Sequence, residues 1–154
     1  MIDIVGFLSA LTNIPKTIQL IDEQIKRSRG RKRILLIEMK QNISTIKLYT
    51  ERGAPIDKVI LALRTSKLEE LLESNFNFNR IEKSKVKEET TGSVPFYKPY
   101  IGWSTYQLFE NIYLKITDLQ GVVKIDTNNP NIRKSVRLIN ILKLIKLLLV
   151  HISK

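Results

Sequence analysis

The densest run of chemically useful side chains lies at 26–33. Six of these eight positions carry a base, and four of the six are arginines. The bases are Lys26, Arg27, Arg29, Arg31, Lys32 and Arg33. Arginine guanidinium groups match phosphate oxygens in bidentate pairs, so this arginine cluster predicts contact with the phosphates of RNA or DNA. The alternatives are a solvated turn and an acidic lipid or protein partner.

A second basic group opens the last apolar segment of the chain. It contains Arg133, Lys134 and Arg137, and Lys143 and Lys146 follow further along. If the two groups were adjacent in the fold, they would form one positive stripe, as in proteins that bind the nucleic-acid backbone. All nine bases of the arginine cluster and of 133–137 are therefore candidate nucleic-acid contacts.

Aromatic side chains stand close to a base at 96–103. Tyr97, Tyr100 and Trp103 surround Lys98, an arrangement that could stack unpaired nucleotides. The structural alternative is an aromatic strap that packs over one end of the fold.

Residues for catalysis are scarce. His151 is the only histidine and is expected to be solvent-exposed, and the absence of cysteine excludes thiol chemistry and disulfides. The Arg-to-His spacing of helical RNases is not matched, because only Lys146 lies within that reach of His151. No zinc, calcium or glycine-rich phosphate motif is present. The sequence therefore predicts a non-enzyme with no metal site and no cofactor.

The overall charge supports a polyanionic partner. The chain carries 26 Lys and Arg against 15 Asp and Glu, which leaves a net charge of +11. Such a net positive charge is suited to binding nucleic acid or an acidic membrane surface. The alternative explanation is that the charge only keeps the protein soluble. The length predicts one domain over 1–154, and the lack of cysteine fits a reducing compartment, here the cytoplasm.

The stretch 136–152 is the most apolar in the chain, with Val, Ile or Leu at twelve of seventeen positions. At 100° per residue it forms a broad apolar face centred on Leu142, Ile145 and Leu149. A helix of this kind is normally buried, so we expect the other helices to pack around it. Self-association or a protein partner is also predicted, from residues outside this face. These residues are Ile139, Leu147 and Val150.

Apolar residues at helical spacing, with Gly, Pro and capping residues between them, predict the remaining elements. An N-terminal segment covers about 2–28 and is interrupted near Pro15. The main helices span about 31–51, 55–74, 104–124 and 130–152. One helix over 16–50 is compatible with the spacing, but a turn at 28–30 is preferred because glycine weakens a helix. Capping boxes are predicted at Ser66 and Ser104, and a fresh helical turn is expected to run from Ser66 to about Ser74.

Two segments fall outside this pattern. Residues 80–95 carry mixed charges and are predicted to form a flexible loop, with Ile81 and Val86 as its apolar anchors. The strap at 96–103 is predicted to be an extended connector because of its prolines. The fold class is thus an all-α antiparallel bundle of four main helices plus a short N-terminal helix, without a β-sheet.

These observations predict a non-catalytic protein that binds nucleic acid through phosphates without reading sequence. In size, charge and helix pattern the chain resembles the small basic helical-bundle accessory subunits of bacterial ribonucleoprotein systems. That likeness implies a place in a larger nucleoprotein complex and carries no residue roles. The first alternative is a helical adaptor or oligomerisation protein. The second is a peripheral membrane protein in which residues 2–14 form an amphipathic anchor.

Overall fold

The structure is a computed structural model that describes residues 13–126 and 128–153. These residues form α-helices, short 3₁₀ helices and connecting turns, with no β-strand among them, so the all-α prediction is confirmed for this part of the chain. The α-helices are α1 (Ile14–Arg27), α2 (Gly30–Arg52), α3 (Ile56–Ala62), α4 (Ser66–Glu73), α5 (Glu88–Thr91), α6 (Thr105–Ile125) and α7 (Lys134–Ile152). The 3₁₀ helices are Phe78–Arg80, Pro95–Tyr100 and Pro130–Ile132.

The first two helices form an antiparallel pair. Ser28 and Arg29 are not helical, and Gly30 has a φ of +58°, a conformation that glycine adopts at little cost. The preferred turn at 28–30 is thus confirmed, and one helix over 16–50 is excluded. Asp22 and Lys40 face each other across the pair, with a carboxylate-to-ammonium distance of 2.5 Å.

Helix α1 begins at Ile14 with Pro15 in its first turn, as the interruption near Pro15 predicts. Asn13 occupies the N-cap position, but its side chain makes no capping hydrogen bond. The Thr17 hydroxyl instead donates to the Asn13 carbonyl at 2.8 Å. The predicted helix before Pro15 and the membrane anchor at 2–14 fall mainly on 1–12, outside the described residues.

The predicted span 55–74 is two helices, α3 and α4, and α4 confirms the fresh helical turn expected from Ser66. The chain is extended at Leu63, between α3 and α4. The side chain of Asn42 on α2 satisfies the backbone there, because it accepts from the Arg64 N–H at 2.7 Å and donates to the Arg64 carbonyl at 2.8 Å. This buried amide supplies a partner for backbone groups that the broken helix leaves unpaired.

The two predicted capping boxes have different outcomes. At Ser104 the box is complete, with Ser104 accepting from the Gln107 N–H and the Gln107 side chain accepting from the Ser104 N–H. At Ser66 the prediction was wrong. Thr65 is the N-cap residue there and makes no side-chain capping bond, while Ser66 is already helical.

Helix α6 runs antiparallel to α3 and α4, and α7 runs antiparallel to α6. Its Gln120 amide donates to the carbonyl of Leu63 at 2.9 Å, and the Tyr113 hydroxyl donates to Glu69 at 3.0 Å. At the start of α6, Thr105 meets His151 at the end of α7. The chain therefore passes repeatedly from one end of the bundle to the other.

Helix α7 lies at the centre. It contacts α1, α2, α3, α5 and α6, and Leu142, Ile145 and Leu149 are fully buried. The expectation that the other helices pack around 136–152 is confirmed. Within the described ranges, no helix is both long enough and apolar enough to cross a membrane.

Helix α7 begins later in the chain than residue 130, where it was predicted to begin. Asn129 caps a 3₁₀ turn, Pro130–Ile132, by accepting from the Asn131 N–H at 2.9 Å. Arg133 then adopts a left-handed conformation with a φ of +52°, which a regular helix cannot contain. The α-helix therefore begins at Lys134, directly after Arg133.

Residues 80–95, which were predicted to form a flexible loop, contain buried side chains and backbone hydrogen bonds. Ile81 and Val86 are buried, as predicted, and Val86 exchanges backbone hydrogen bonds with Gly102 and Trp103, both at 2.8 Å. Helix α5 lies inside the segment. The strap is not extended either, because Pro95–Tyr100 is a 3₁₀ helix that tolerates Pro99 near its end.

Candidate nucleic-acid interface

The arginine cluster occupies the turn between α1 and α2. Ser28 fixes this turn from inside, since it is buried and both its hydroxyl and its N–H donate to the Ile25 carbonyl, at 3.0 and 3.2 Å. Its neighbours on both sides project outward. Five of the six bases are exposed and Lys32 is half-buried.

The placement of the bases differs between the two helices. Lys26 and Arg27 lie in the last turn of α1, where a positive charge complements the helix dipole. Arg31, Lys32 and Arg33 lie in the first turn of α2, which has no acidic residue and no side-chain cap. Positive charges at a helix N-terminus are unfavourable by roughly 0.3–1 kcal/mol each, so helix stability does not explain this part of the cluster.

None of the six basic residues forms an ion pair with an acid in the part of the chain that the structure describes. Basic residues elsewhere do form ion pairs, since Lys134 pairs with Asp57 at 2.8 Å and Lys47 with Glu51 at 3.8 Å. The arginine cluster therefore keeps its donors available for a partner from solution.

A cavity of about 600 Å³ opens beside the turn. Four basic residues of the cluster line it, Arg80 adds a fifth, and the Phe76 ring also lines it. No Asp or Glu lines this cavity. We call it the arginine cavity. Five bases without a counter-charge around one concave space form a site for an anion.

Sequence reasoning missed Arg80 and Phe76. Both follow α4, about fifty residues after the cluster, and no local spacing connects them to 26–33. The Asn77 side chain accepts from the Asn79 N–H at 3.0 Å and so caps the 3₁₀ turn that carries Arg80. The Arg31 guanidinium lies over the Phe76 ring, 5.9 Å from its centre, in a cation–π contact.

The second basic group is not adjacent to the first. Arg133 and Lys134 share a shallow cavity with Tyr49, near the end of α2, whereas the arginine cluster surrounds Gly30 at its start. Nineteen residues of one helix separate Tyr49 from Gly30, or roughly 28 Å at 1.5 Å per residue. The two groups therefore form two patches rather than one stripe. Arg133 and Arg137 are exposed, while Lys134 is paired with Asp57.

The three aromatics of the strap have different environments. Tyr97 is fully buried and its hydroxyl donates to the Lys143 carbonyl at 3.0 Å, so its ring cannot stack a nucleotide. Burial raises the pKa of Tyr97 above its usual range. Tyr100 and Trp103 are half-buried and pack edge to face, with ring centres 4.8 Å apart. They remain candidates for stacking.

The apolar residues predicted as a protein interface do not form an exposed surface. Leu147 is fully buried, and Ile139 and Val150 are half-buried. Lys146, on the same turns, is also fully buried, although it was grouped with polar positions in the sequence. The physical reason is that five helices contact α7, so residues outside its main apolar face are fully or partly covered as well.

His151 is buried, so the expectation of an exposed residue was wrong. Thr105 donates its single hydroxyl proton to the Glu82 carbonyl at 2.7 Å and lies 3.0 Å from His151 Nε2. Because that proton is already used, His151 must donate from Nε2. The contact joins the start of α6 to the end of α7, which is a structural role.

No group of three or more His, Asp or Glu side chains that could hold a metal ion occurs among residues 13–126 and 128–153. The arginine cavity offers only cationic and apolar side chains and the Ser28 hydroxyl, and none of these is a ligand that metal ions prefer. The chemistry that this site can offer is therefore the binding of anions.

Comparison with protein-family models, curated proteins and solved structures found no match.

Proposed function

We propose that the protein binds RNA or DNA through its phosphates, without catalysis and without reading the sequence, as an accessory subunit of a larger nucleoprotein complex. The observation that carries this proposal is the arginine cavity, where five bases surround one space and no acid lines it. A net charge of +11 supports it.

The chemistry of the cluster favours phosphate over other anions. Arginine presents parallel N–H donors that fit two phosphate oxygens, and four of the six clustered bases are arginines. Three bases also surround the positive end of α2, where exposed backbone N–H groups add to the attraction. The phosphate is the same whichever nucleobase a nucleotide carries, so binding should be largely independent of nucleotide sequence.

The decisive experiment is a salt titration of binding to single-stranded and duplex oligonucleotides. The slope of log affinity against log salt concentration should be steep, at about −0.7 to −0.9 per phosphate neutralised. The triple variant Arg29→Gln, Arg31→Gln, Arg33→Gln should flatten it by roughly 2–3 units and leave the helical circular dichroism spectrum unchanged.

A matched control removes three charges elsewhere. Arg52, Lys58 and Lys124 are exposed, belong to neither basic group and form no ion pair within the described ranges. Changing all three to Gln lowers the net charge equally and should leave the slope close to wild type. Equal flattening by both variants would reduce the proposal to a general charge effect.

Vesicles that contain anionic lipid serve as the third arm of the titration. Tighter binding to vesicles than to any oligonucleotide would overturn the proposal in favour of a peripheral membrane protein. Absence of binding to either would overturn it in favour of the adaptor.

A second candidate function, protein contact along α2, has its own observation. Ile34, Ile37 and Leu48 are 45%, 39% and 47% exposed, and they fall within about 60° on one side of the helix. Light scattering tests this candidate. Wild-type protein should then exceed the 17.9 kDa monomer mass, and Ile37→Lys should reduce it. A strict monomer without a co-purifying protein counts against it.

A further inference from the structure

The arginine cavity combines two features that a simple phosphate-binding surface does not need. It is concave, its basic side chains come from two segments about fifty residues apart in the chain, and an aromatic ring lines it as well. Arg29 is the N-cap residue of α2, Arg31 lies in its first turn, and Arg80 comes from the 3₁₀ helix Phe78–Arg80. Phe76 is half-buried, so part of its ring remains accessible.

We infer that the arginine cavity binds single-stranded nucleic acid. One nucleotide enters it, with its phosphate between Arg29, Arg31 and Arg80 and its base against Phe76. This inference rests on the proposed function and adds the form of the nucleic acid to it.

The size and shape of the cavity favour a single strand. Its volume of about 600 Å³ falls within the roughly 300–1,000 Å³ of sites that enclose small ligands. In a duplex the bases are stacked inside the helix, so a ring in the wall of a cavity cannot reach a base face unless that base is unpaired. A duplex can therefore contact the exposed arginines through its phosphates, but it cannot place the face of a nucleobase against Phe76.

The aromatic ring also favours an unpaired base. Every nucleobase has a π face, so stacking on Phe76 is tolerant of sequence, like the phosphate contacts. The guanidinium of Arg31, 5.9 Å from the ring centre, can extend this platform, because a planar guanidinium also stacks on bases. Arg31 would thus contribute to both parts of the site.

Fluorescence anisotropy with a labelled single strand and with the same strand in a duplex tests the inference. The single strand should bind more tightly. Phe76→Leu should weaken single-strand binding about 5- to 150-fold, the effect of losing one stacked base, and leave the salt slope unchanged. Arg80→Gln should lower that slope by about 0.7, which corresponds to one phosphate contact.

A matched control exists for the aromatic substitution. Phe96 is also half-buried and lies under a cation, with the Lys143 ammonium 4.7 Å from its ring centre, but it does not line the arginine cavity. Phe96→Leu should weaken single-strand binding far less than Phe76→Leu. Circular dichroism of both Leu variants verifies the fold, and the exposed Arg80 provides a second variant that does not affect the core.

The outcomes separate the inference from the function on which it rests. Equal affinity for the two forms, with Phe76→Leu and Phe96→Leu indistinguishable, overturns the single-strand inference while phosphate binding stands. Loss of the salt-dependent binding to both forms in wild type would overturn the proposed function itself.

Discussion

The side chain of Glu38, in the middle of α2, accepts a hydrogen bond from the backbone N–H of Leu68 at 3.0 Å. Its second oxygen accepts from the Lys67 N–H at 2.9 Å. Glu38 is only 3% exposed, and its carboxylate lies at the start of α4, where N–H groups have no partner within the helix. A residue from another helix thus serves as the cap that Ser66 was predicted to be.

This relationship predicts different costs for three substitutions. Glu38→Ala should lower the free energy of unfolding by about 2–3 kcal/mol, because it removes the acceptor of the Lys67 and Leu68 N–H groups and of the Ser66 hydroxyl. Ser104→Ala removes a true capping box and should cost about 1 kcal/mol. Ser66→Ala should cost less than either. Urea unfolding measures all three, and a Ser66→Ala cost equal to that of Ser104→Ala would contradict the assignment.

Truncation in α7 should affect stability far more than truncation on the surface. Leu142→Ala should cost about 2–5 kcal/mol, since the fully buried residue leaves a cavity. Leu114→Ala on α6 is the matched control, as Leu114 is 46% exposed, and should cost less than about 0.5 kcal/mol. Similar melting temperatures for the two variants would show that α7 is peripheral.

Because Lys146 is buried, we expect its contribution to the free energy of unfolding to increase with pH in alkaline solution. Burial, and secondarily the Lys143 charge, lowers its pKa from 10.5 to about 8. The unfolded chain keeps this proton up to about 10.5 and therefore binds more protons than the folded protein between those values. The free energy of unfolding must then increase from about pH 8 to 10.5 through this group.

Urea unfolding across this range, with wild type and Lys146→Met compared, isolates the contribution. The rise due to this group should be absent from the variant, while Lys124→Met, at an exposed position, should follow wild type. Parallel curves for wild type and Lys146→Met would refute the prediction. The comparison is needed because buried Tyr97 keeps its proton at high pH and acts in the opposite direction.

Trp103 should report nucleic-acid binding. It is the only tryptophan and lies two residues before Thr105, whose hydroxyl donates to the carbonyl of Glu82, the residue after Ile81 in the lining of the arginine cavity. If a single strand leaves the cavity over the strap, its bases should quench this fluorescence. Tyr97→Phe should leave the affinity unchanged, because Tyr97 is fully buried. Saturated binding without a change in fluorescence would exclude Trp103 from the path of the strand.

The second basic group should contribute only to binding of long oligonucleotides. The roughly 28 Å between the two patches corresponds to about 8 nucleotides of a strand that keeps the stacked spacing of about 3.4 Å. The double variant Arg133→Gln, Arg137→Gln should therefore flatten the salt slope for a strand of about 20 nucleotides and not for one of about 6. An unchanged slope for the longer strand would remove these residues from the interface.

Local patterns in the sequence determined most of the helices. Apolar residues at intervals of three and four require one buried side, and this spacing predicted α2, α6 and α7 to within a few residues at most ends. Gly30 and the pair Ser104 and Gln107 act within one turn of the chain, so their turn and their capping box could be predicted without a fold. The same holds for the central position of α7, because its apolar face is too broad to be left in contact with water.

Only the tertiary structure decided what distant residues do together. Glu38 caps α4 from 28 residues away, and Arg80 and Phe76 join the arginine cavity although no periodicity connects them to 26–33. Burial of Lys146 and His151 likewise depends on which helices surround α7. The physical reason is that helical spacing reports the side of a residue relative to its own axis, while a site depends on how several axes pack. The sequence by itself determined where the charges are concentrated, and the packing decided which of them share one cavity.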